Sequence, residues 1–234
     1  MAVYLREFAT QADYEVAQSS LILPNVSLIL EDGGVKYTQG SPTPIYEAID
    51  LGLPSGRKWA NMNVGASKPE EEGFFFSWGN VEGHCLNGVT DYDFGTSTTD
   101  APYSGSPGAA LSGDIAVGDT YDMARANLGG AWRLPTKEDF QELYDNTTCT
   151  WTIQNGVAGR LFISKASGNS NSVFFPAAGN YNGSSHGNVG SLGRYWSSSF
   201  YSATNAYYLY FRSTGVYPQN EGNRFLGFSV RAVQ

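Results

Sequence analysis

The chain has 234 residues, enough for one sizeable domain with a real core plus a small appendage. Charged residues make up 15%, aromatics 14%, and there are 28 glycines, which excludes a helical bundle or a disordered chain and fits short strands joined by loops. The net charge of −8, with no Lys/Arg cluster, excludes phosphate backbones and anionic membranes as partners, and no apolar run reaches the length of a membrane span.

The N-terminus, MAVYLREFATQADYE, lacks the basic-then-apolar layout of a signal peptide, so the expected product is first a soluble cytoplasmic one. Residues 1–44 read as a separate segment. Thr10 and Asp13 resemble a capping box opening a short helix, TQADYEVAQSS. PNVSLIL and VKYTQ flank Asp32-Gly33, a hairpin signal, and GSPTP closes the segment as a linker. A helix and a hairpin bury little core alone, so this segment is expected to attach the chain to something larger or to its own copies.

Residues 45–234 read as one α+β domain. IDLGLPSGRKWANMNVG holds two short strands around a Pro-Ser-Gly turn, and GFFFSWG reads as a buried strand. A long insertion with little periodicity occupies 80–118. DTYDMARANLGG reads as a helix ended by Gly129-Gly130. RLPTKEDFQELYDN carries a second helix with Thr136 as N-cap, acids in its first turn, and Phe140, Leu143 and Tyr144 on one face. Strands follow: WTIQNGVAGRLFIS with an Asn155-Gly156 hairpin signal, SVFFPAAG, a Gly-rich loop NYNGSSHGNVGSLG, then RYWSSS, AYYLYFRS and FLGFSVRAV.

Catalytic motifs are scarce. The two histidines, His84 and His186, lie in polar, Gly-rich contexts, and GSSHG is not a nucleophile elbow. DYDFG, Asp91 to Gly95, echoes the start of a calcium loop but lacks the third acidic ligand at Gly95 and the Glu where Pro102 falls. Its acids read as solvated turn residues, with an irregular calcium site as the alternative and no other cofactor expected. Glu70 to Glu72 read as a solvated turn or helix start. Sequence does not decide whether Cys85 and Cys149 pair; the preferred reading is two small, partly buried thiols, in keeping with cytoplasmic assembly, with a disulfide as the alternative.

The C-terminal span is different. Eleven aromatic residues crowd the stretch from Tyr195 to Phe228, interleaved with Asn, Ser, Gly and Arg. In AYYLYFR the set Tyr207, Leu209, Phe211 alternates with Tyr208, Tyr210, Arg212, and neither set suits water. Tyr gives large contact area at low entropy cost, and Asn and Ser give adaptable hydrogen bonds, so this is the composition of a recognition surface. A sheet packed on both faces, or a subunit interface, fits the same composition, and sugars also stack on such rings.

GGAWRLPTKEDFQEL, FFPAAG, YWSSS and GFSVRAV, in that order, resemble the C-type-lectin-fold domains shared by formylglycine-generating enzymes and by variable proteins of diversity-generating retroelements. The spacing from YWSSS to NRFLGFSVRAV is most similar to the variable proteins of gut bacteroidete bacteria and their phages. The resemblance spans Ile49 to the C-terminus. It implies a C-type lectin fold, loop-rich, with two short helices and short antiparallel strands, and a variable region at 195–231. It also implies that a reverse transcriptase miscopies adenines, so that AAC or AAT codons change while never yielding Lys, Gln, Glu, Met or Trp. The implied ligand-binding positions are Phe200, Tyr201, Asn205, Tyr208, Tyr210, Arg212, Tyr217, Asn220, Phe225 and Leu226, each a residue such a codon reaches. Leu209, Phe211, Phe228 and Val230 are the expected constant, inward set.

The enzymatic branch uses a cysteine pair late in the domain, and nothing after Cys149 is cysteine. The Glu-Pro-Asn and Gln-Pro-Asp motifs of calcium-dependent sugar binding are also absent. The expected function is therefore a non-catalytic binding protein, displayed on a phage tail or virion. Its expected partners are a bacterial cell-surface protein or glycan, the virion proteins that carry it, and copies of itself. The alternative is a structural virion or surface protein whose aromatic strip is a fixed subunit interface.

Overall fold

A computed structural model describes residues 26–31, 34–39, 45–89 and 92–234. The chain divides into two compact units, Met1–Ile45 and Tyr46–Gln234. In the first, β1 (Val26–Glu31) and β2 (Gly34–Gln39) form an antiparallel hairpin closed at Glu31↔Gly34, a two-residue link. The helix expected from Thr10 lies outside the described residues.

The second unit is α+β. Two of its helices start where a side chain satisfies orphan backbone donors. Asp122 caps α2 (Met123–Leu128), accepting the N–H groups of Ala124 and Arg125; the short α1 (Ala101–Ser104) precedes it in the insertion. Thr136 caps α3 (Lys137–Asn146) in a reciprocal capping box with Asp139. Phe140 and Leu143 on α3 are fully buried, whereas Tyr144, expected beside them, is 39% exposed.

The strands are β3 (Ala48–Asp50), β4 (Lys58–Ala60), β5 (Phe75–Phe76), β6 (Thr147–Gln154), β7 (Val157–Ser164), β8 (Ser172–Pro176), β9 (Asn180–Asn182), β10 (Ser185–Gly187), β11 (Leu192–Phe200), β12 (Asn205–Arg212), β13 (Gly215–Asn223) and β14 (Phe228–Ser229). β3 pairs with β4, and β6, β7 and β8 form an antiparallel sheet. Asn155 and Gly156 turn β6 into β7 with φ of 49° and 85°, the left-handed pair that a two-residue hairpin requires. The Gly-rich loop holds a small hairpin of its own, β9–β10.

The main sheet has the order β13-β12-β11-β14-β5. Both of its faces are covered. On one face Tyr195, Leu209 and Phe211 pack with Trp59, Phe140, Phe162 and Phe175. On the other, Trp196, Tyr208 and Phe228 pack with Phe76, Trp78, Met123 and Leu134. Trp196 stacks on Phe228 with ring centroids 4.2 Å apart, a contact worth on the order of 1 kcal/mol beyond its area. The expected constant set is buried, as Leu209, Phe211, Phe228 and Val230 all show no exposure, but it serves two cores rather than one.

Two bulges shape this sheet. Between Trp196↔Tyr208 and Phe200↔Ala206, β11 carries Ser197, Ser198 and Ser199 opposite Tyr207 alone. Freed from the ladder, these serines tie distant segments together. The Ser198 N–H donates to the Pro135 carbonyl (2.8 Å), the Ile115 N–H donates to the Ser198 carbonyl (2.9 Å), and the Lys137 N–H donates to Ser199 Oγ (3.1 Å). On the other side, Pro218 and Gln219 bulge opposite Leu209, between Tyr208↔Asn220 and Tyr210↔Tyr217. Proline lacks a ladder donor, so an edge bulge is where a strand tolerates it.

Candidate functional site

Alternation along β12 sends Tyr208, Tyr210 and Arg212 to one face and Asn205, Tyr207, Leu209 and Phe211 to the other. The ten expected ligand-binding residues therefore do not share one continuous face.

Four of them gather on the outer part of the sheet. Tyr210 pairs with Tyr217 across the β12–β13 ladder, and their rings stack at 5.5 Å with 20° between planes. Arg194 pairs with Tyr210 from β11, its guanidinium 5.8 Å from the Tyr210 ring. Arg212 and Tyr217 are exposed, while Tyr210 and Asn220 are half-buried. Asn220 donates through Nδ2 to the Tyr208 hydroxyl at 2.6 Å.

Tyr208 itself is a correction. It is only 5% exposed, with Trp196 edge-on at 5.9 Å and Phe228 at 4.8 Å. Burial raises its hydroxyl above the ordinary value, with Arg194 opposing. Tyr208 is the floor under Asn220, not a surface group. Phe225 is the second correction: it is 6% exposed, because the turn after β13 folds inward. Both belong to the scaffold. Leu226 and Phe200 are half-buried and pack against the Trp78–Trp196 core. The Phe200 N–H donates to Asp114 Oδ1 at 2.7 Å.

Tyr201 and Asn205 form a second group at the β11–β12 turn. Tyr201 is 50% exposed and meets Tyr207 at a right angle, 5.3 Å between centroids. Lys137 Nζ lies 4.4 Å above the Tyr207 ring. Asn205 Nδ2 donates to the Glu221 carboxylate. Sequence reasoning missed Lys137, Arg194, Tyr207 and Glu221 as members of these groups. Lys137 comes from the start of α3, far along the chain, and carries no signal. Arg194 was recoverable from the pairing of β11 with β12, and Glu221 from the pairing of β12 with β13, had β13 been recognised.

A buried guanidinium underlies the same turn. Arg224, with no exposure, donates to the carbonyls of Gly108, Leu111, Ser202 and Ala203 and lies 4.4 Å over the Trp78 ring. It ties the 80–118 insertion to the β11–β12 turn that presents Tyr201.

The remaining chemistry-bearing residues lie elsewhere. His84 stacks on Tyr92 at 3.5 Å, and burial pushes its imidazole below the ordinary value while Glu82 opposes. His186 stacks on Tyr181 at 4.3 Å, with Nε2 2.9 Å from the Ala178 carbonyl and 3.9 Å from Glu72. Burial holds the Glu72 carboxyl above the usual range, with His186 opposing. Glu70 is not solvated as expected: it is buried and accepts from Gln154 and Asn155. No disulfide joins Cys85 to Cys149. Asp93 Oδ1 accepts the Gly95 N–H, and Asp91 lies outside the described residues. Among the described residues no group of three His, Cys, Asp or Glu side chains is placed to hold a metal ion, and no helix is long and apolar enough to cross a membrane.

A family model described as a domain of unknown function (DUF8237) matches residues 145–233, a span from the last turn of α3 to the C-terminal strands. No curated protein and no solved structure matches the chain.

Proposed function

We propose that this is a non-catalytic ligand-binding protein of the C-type lectin fold, diversified by a retroelement and displayed on a phage tail or virion. Its ligand is a protein or glycan of the bacterial surface. The observation that carries this reading is the Tyr210–Tyr217 stack, flanked by Arg194, Arg212 and Asn220, on a strand whose alternate residues Leu209 and Phe211 are fully buried. Rings held by a rigid ladder present contact area at little entropic cost, and their replacement leaves Leu209 and Phe211 undisturbed. Phe200, Tyr201, Asn205 and Leu226 extend the variable set around the turn. Weak binding at one site becomes useful when many copies are displayed together.

The test is sequencing of the codons for 195–231 and the flanking locus across a natural population. Substitutions are expected at Tyr201, Tyr210, Arg212, Tyr217 and Asn220, mapping to adenines of a nearby template copy and sparing Leu209, Phe211, Phe228 and Val230. Codons as constant at the first set as at the second overturn the diversification reading and favour a fixed interface.

A further inference from the structure

The three-stranded sheet ends in β6, which reads TTCTWTIQ: eight residues without a charge, a proline or a glycine, in a chain of net charge −8. β6 pairs with β7 without a bulge, from Thr147↔Ser164 to Gln154↔Val157, and its other side is a sheet rim. Bonds one strand away decide which main-chain groups line that rim. The Ala177 N–H donates to the Ala158 carbonyl (2.8 Å) and the Ser164 N–H to the Asn171 carbonyl (2.9 Å), so even-numbered residues of β7 face β8. Odd-numbered residues of β7 then face β6, which leaves the N–H and C=O groups of Cys149, Trp151 and Ile153 directed outward. Among the described residues these groups have no main-chain partner.

The rim of the main sheet is guarded by contrast. β13 carries Pro218, a bulge and the exposed Glu221, the devices that keep an edge from pairing with another chain. β6 has none of them.

We infer that β6 is a self-association edge: two copies of the chain join β6 to β6, antiparallel, about a two-fold axis at Trp151. Two observations select a second copy as the occupant. The first is register. With Trp151 opposite Trp151 of the second copy, the outward groups of Cys149 meet those of Ile153. Thr150 then meets Thr152, and Thr148 meets Gln154. Apolar groups meet on one face and hydroxyl or amide groups on the other, the self-complementarity an isologous contact needs. Moving the axis to Thr150 would bring Ile153 against Thr147, which is buried where the chain leaves α3. The second observation is charge. Contact between two strongly acidic chains is opposed wherever acids meet, and β6 is a run of eight residues free of charge. One strand pair belongs to the small class of interfaces, under about 1,200 Å², so the dimer is concentration-dependent.

Sedimentation velocity on the full chain, across a wide concentration range, tests this. The wild type is expected to pass from monomer to dimer as concentration rises. Thr150→Lys/Thr152→Lys, which sets like charges opposite each other at an exposed and a half-buried position, is expected to lose that step. Thr150→Glu/Thr152→Glu is expected to lose it too, and an equimolar mixture of the two variants to regain it, a rescue that no folding defect would give. A wild type that never associates, a Lys variant that associates like the wild type, or a mixture that stays monomeric overturns the inference. Hydrogen exchange adds a second readout. Protection at Cys149, Trp151 and Ile153 should rise with concentration; protection independent of concentration means that another segment of the same chain covers the rim, and overturns it as well.

Discussion

Arg231 is fully buried, yet among the described residues no carboxylate is one of its hydrogen-bond partners. Its Nε donates to Asn63 Oδ1, Nη1 to the Ala60 carbonyl and Nη2 to the Phe174 carbonyl, with the Phe175 ring 4.4 Å away. Burial lowers its pKa to about 10, with Tyr195 and Tyr46 opposing. A charged group so placed holds three segments in one geometry, and nothing in the motif GFSVRAV announces it. Tyr208 and Tyr210 show the same limit. They are the same residue type with the same alternation, and only the Trp196–Phe228 core beneath Tyr208 separates scaffold from surface. His84 gives a measurable consequence at this scale. The fold favours its neutral ring, whose pKa lies below the ordinary 6.5. As pH falls through 6.5 the unfolded chain takes up the proton first, so this contribution to stability is full above that value and is lost as pH falls through the lowered native pKa. His84→Phe keeps a ring against Tyr92 and removes the titration. Its melting temperature is expected to fall less than that of the wild type between pH 7.5 and 5.5, a range that brackets the ordinary imidazole value. Equal slopes contradict the assignment.

At the scale of elements, the hairpins and helix caps were legible because local chemistry fixes them. Asn155-Gly156 sits between paired strands, and Thr136 caps α3. β13 was not legible. GVYPQNEGN carries a proline, two glycines and polar residues without a strand's apolar pattern; it is a strand because it pairs with β12, and the bulge opposite Leu209 accommodates Pro218. Nor could sequence show that the serines of YWSSS leave the ladder to bind the RLP segment. Two glycines separate local strain from packing. At Gly156 (φ 85°) an added Cβ meets nothing within 4 Å, so Gly156→Ala is expected to cost only the left-handed strain, about 1–2 kcal/mol in denaturant unfolding. At Gly193, where the Phe211 ring folds across the neighbouring strand, the same Cβ would lie 2.2 Å from the ring. Gly193→Ala is expected to cost more, and the reverse order contradicts this account of the sheet.

For the whole molecule, the α+β class was legible from composition and the order of elements, but the division of labour within the sheet was not. The alternation in AYYLYFR left open both an outward recognition face and a sheet packed on both faces. The sheet is buried on both faces, with Leu209 and Phe211 in one core and Trp196, Tyr208 and Phe228 in the other. Exposure is confined to its outer strands and to the β11–β12 turn, where Arg224 and the serine bulge fix the backbone from beneath. Such a molecule should tolerate change at its surface positions and not in its floor. The measurement that tests this most directly compares two displayed libraries for the fraction of members that resist proteolysis. One randomises Tyr201, Tyr210, Arg212, Tyr217 and Asn220; the other randomises Tyr208, Leu209, Phe211, Phe225 and Phe228. Most members of the first library are expected to fold like the parent, and few of the second. Equal folded fractions would contradict the separation of scaffold from binding surface on which the proposed function rests.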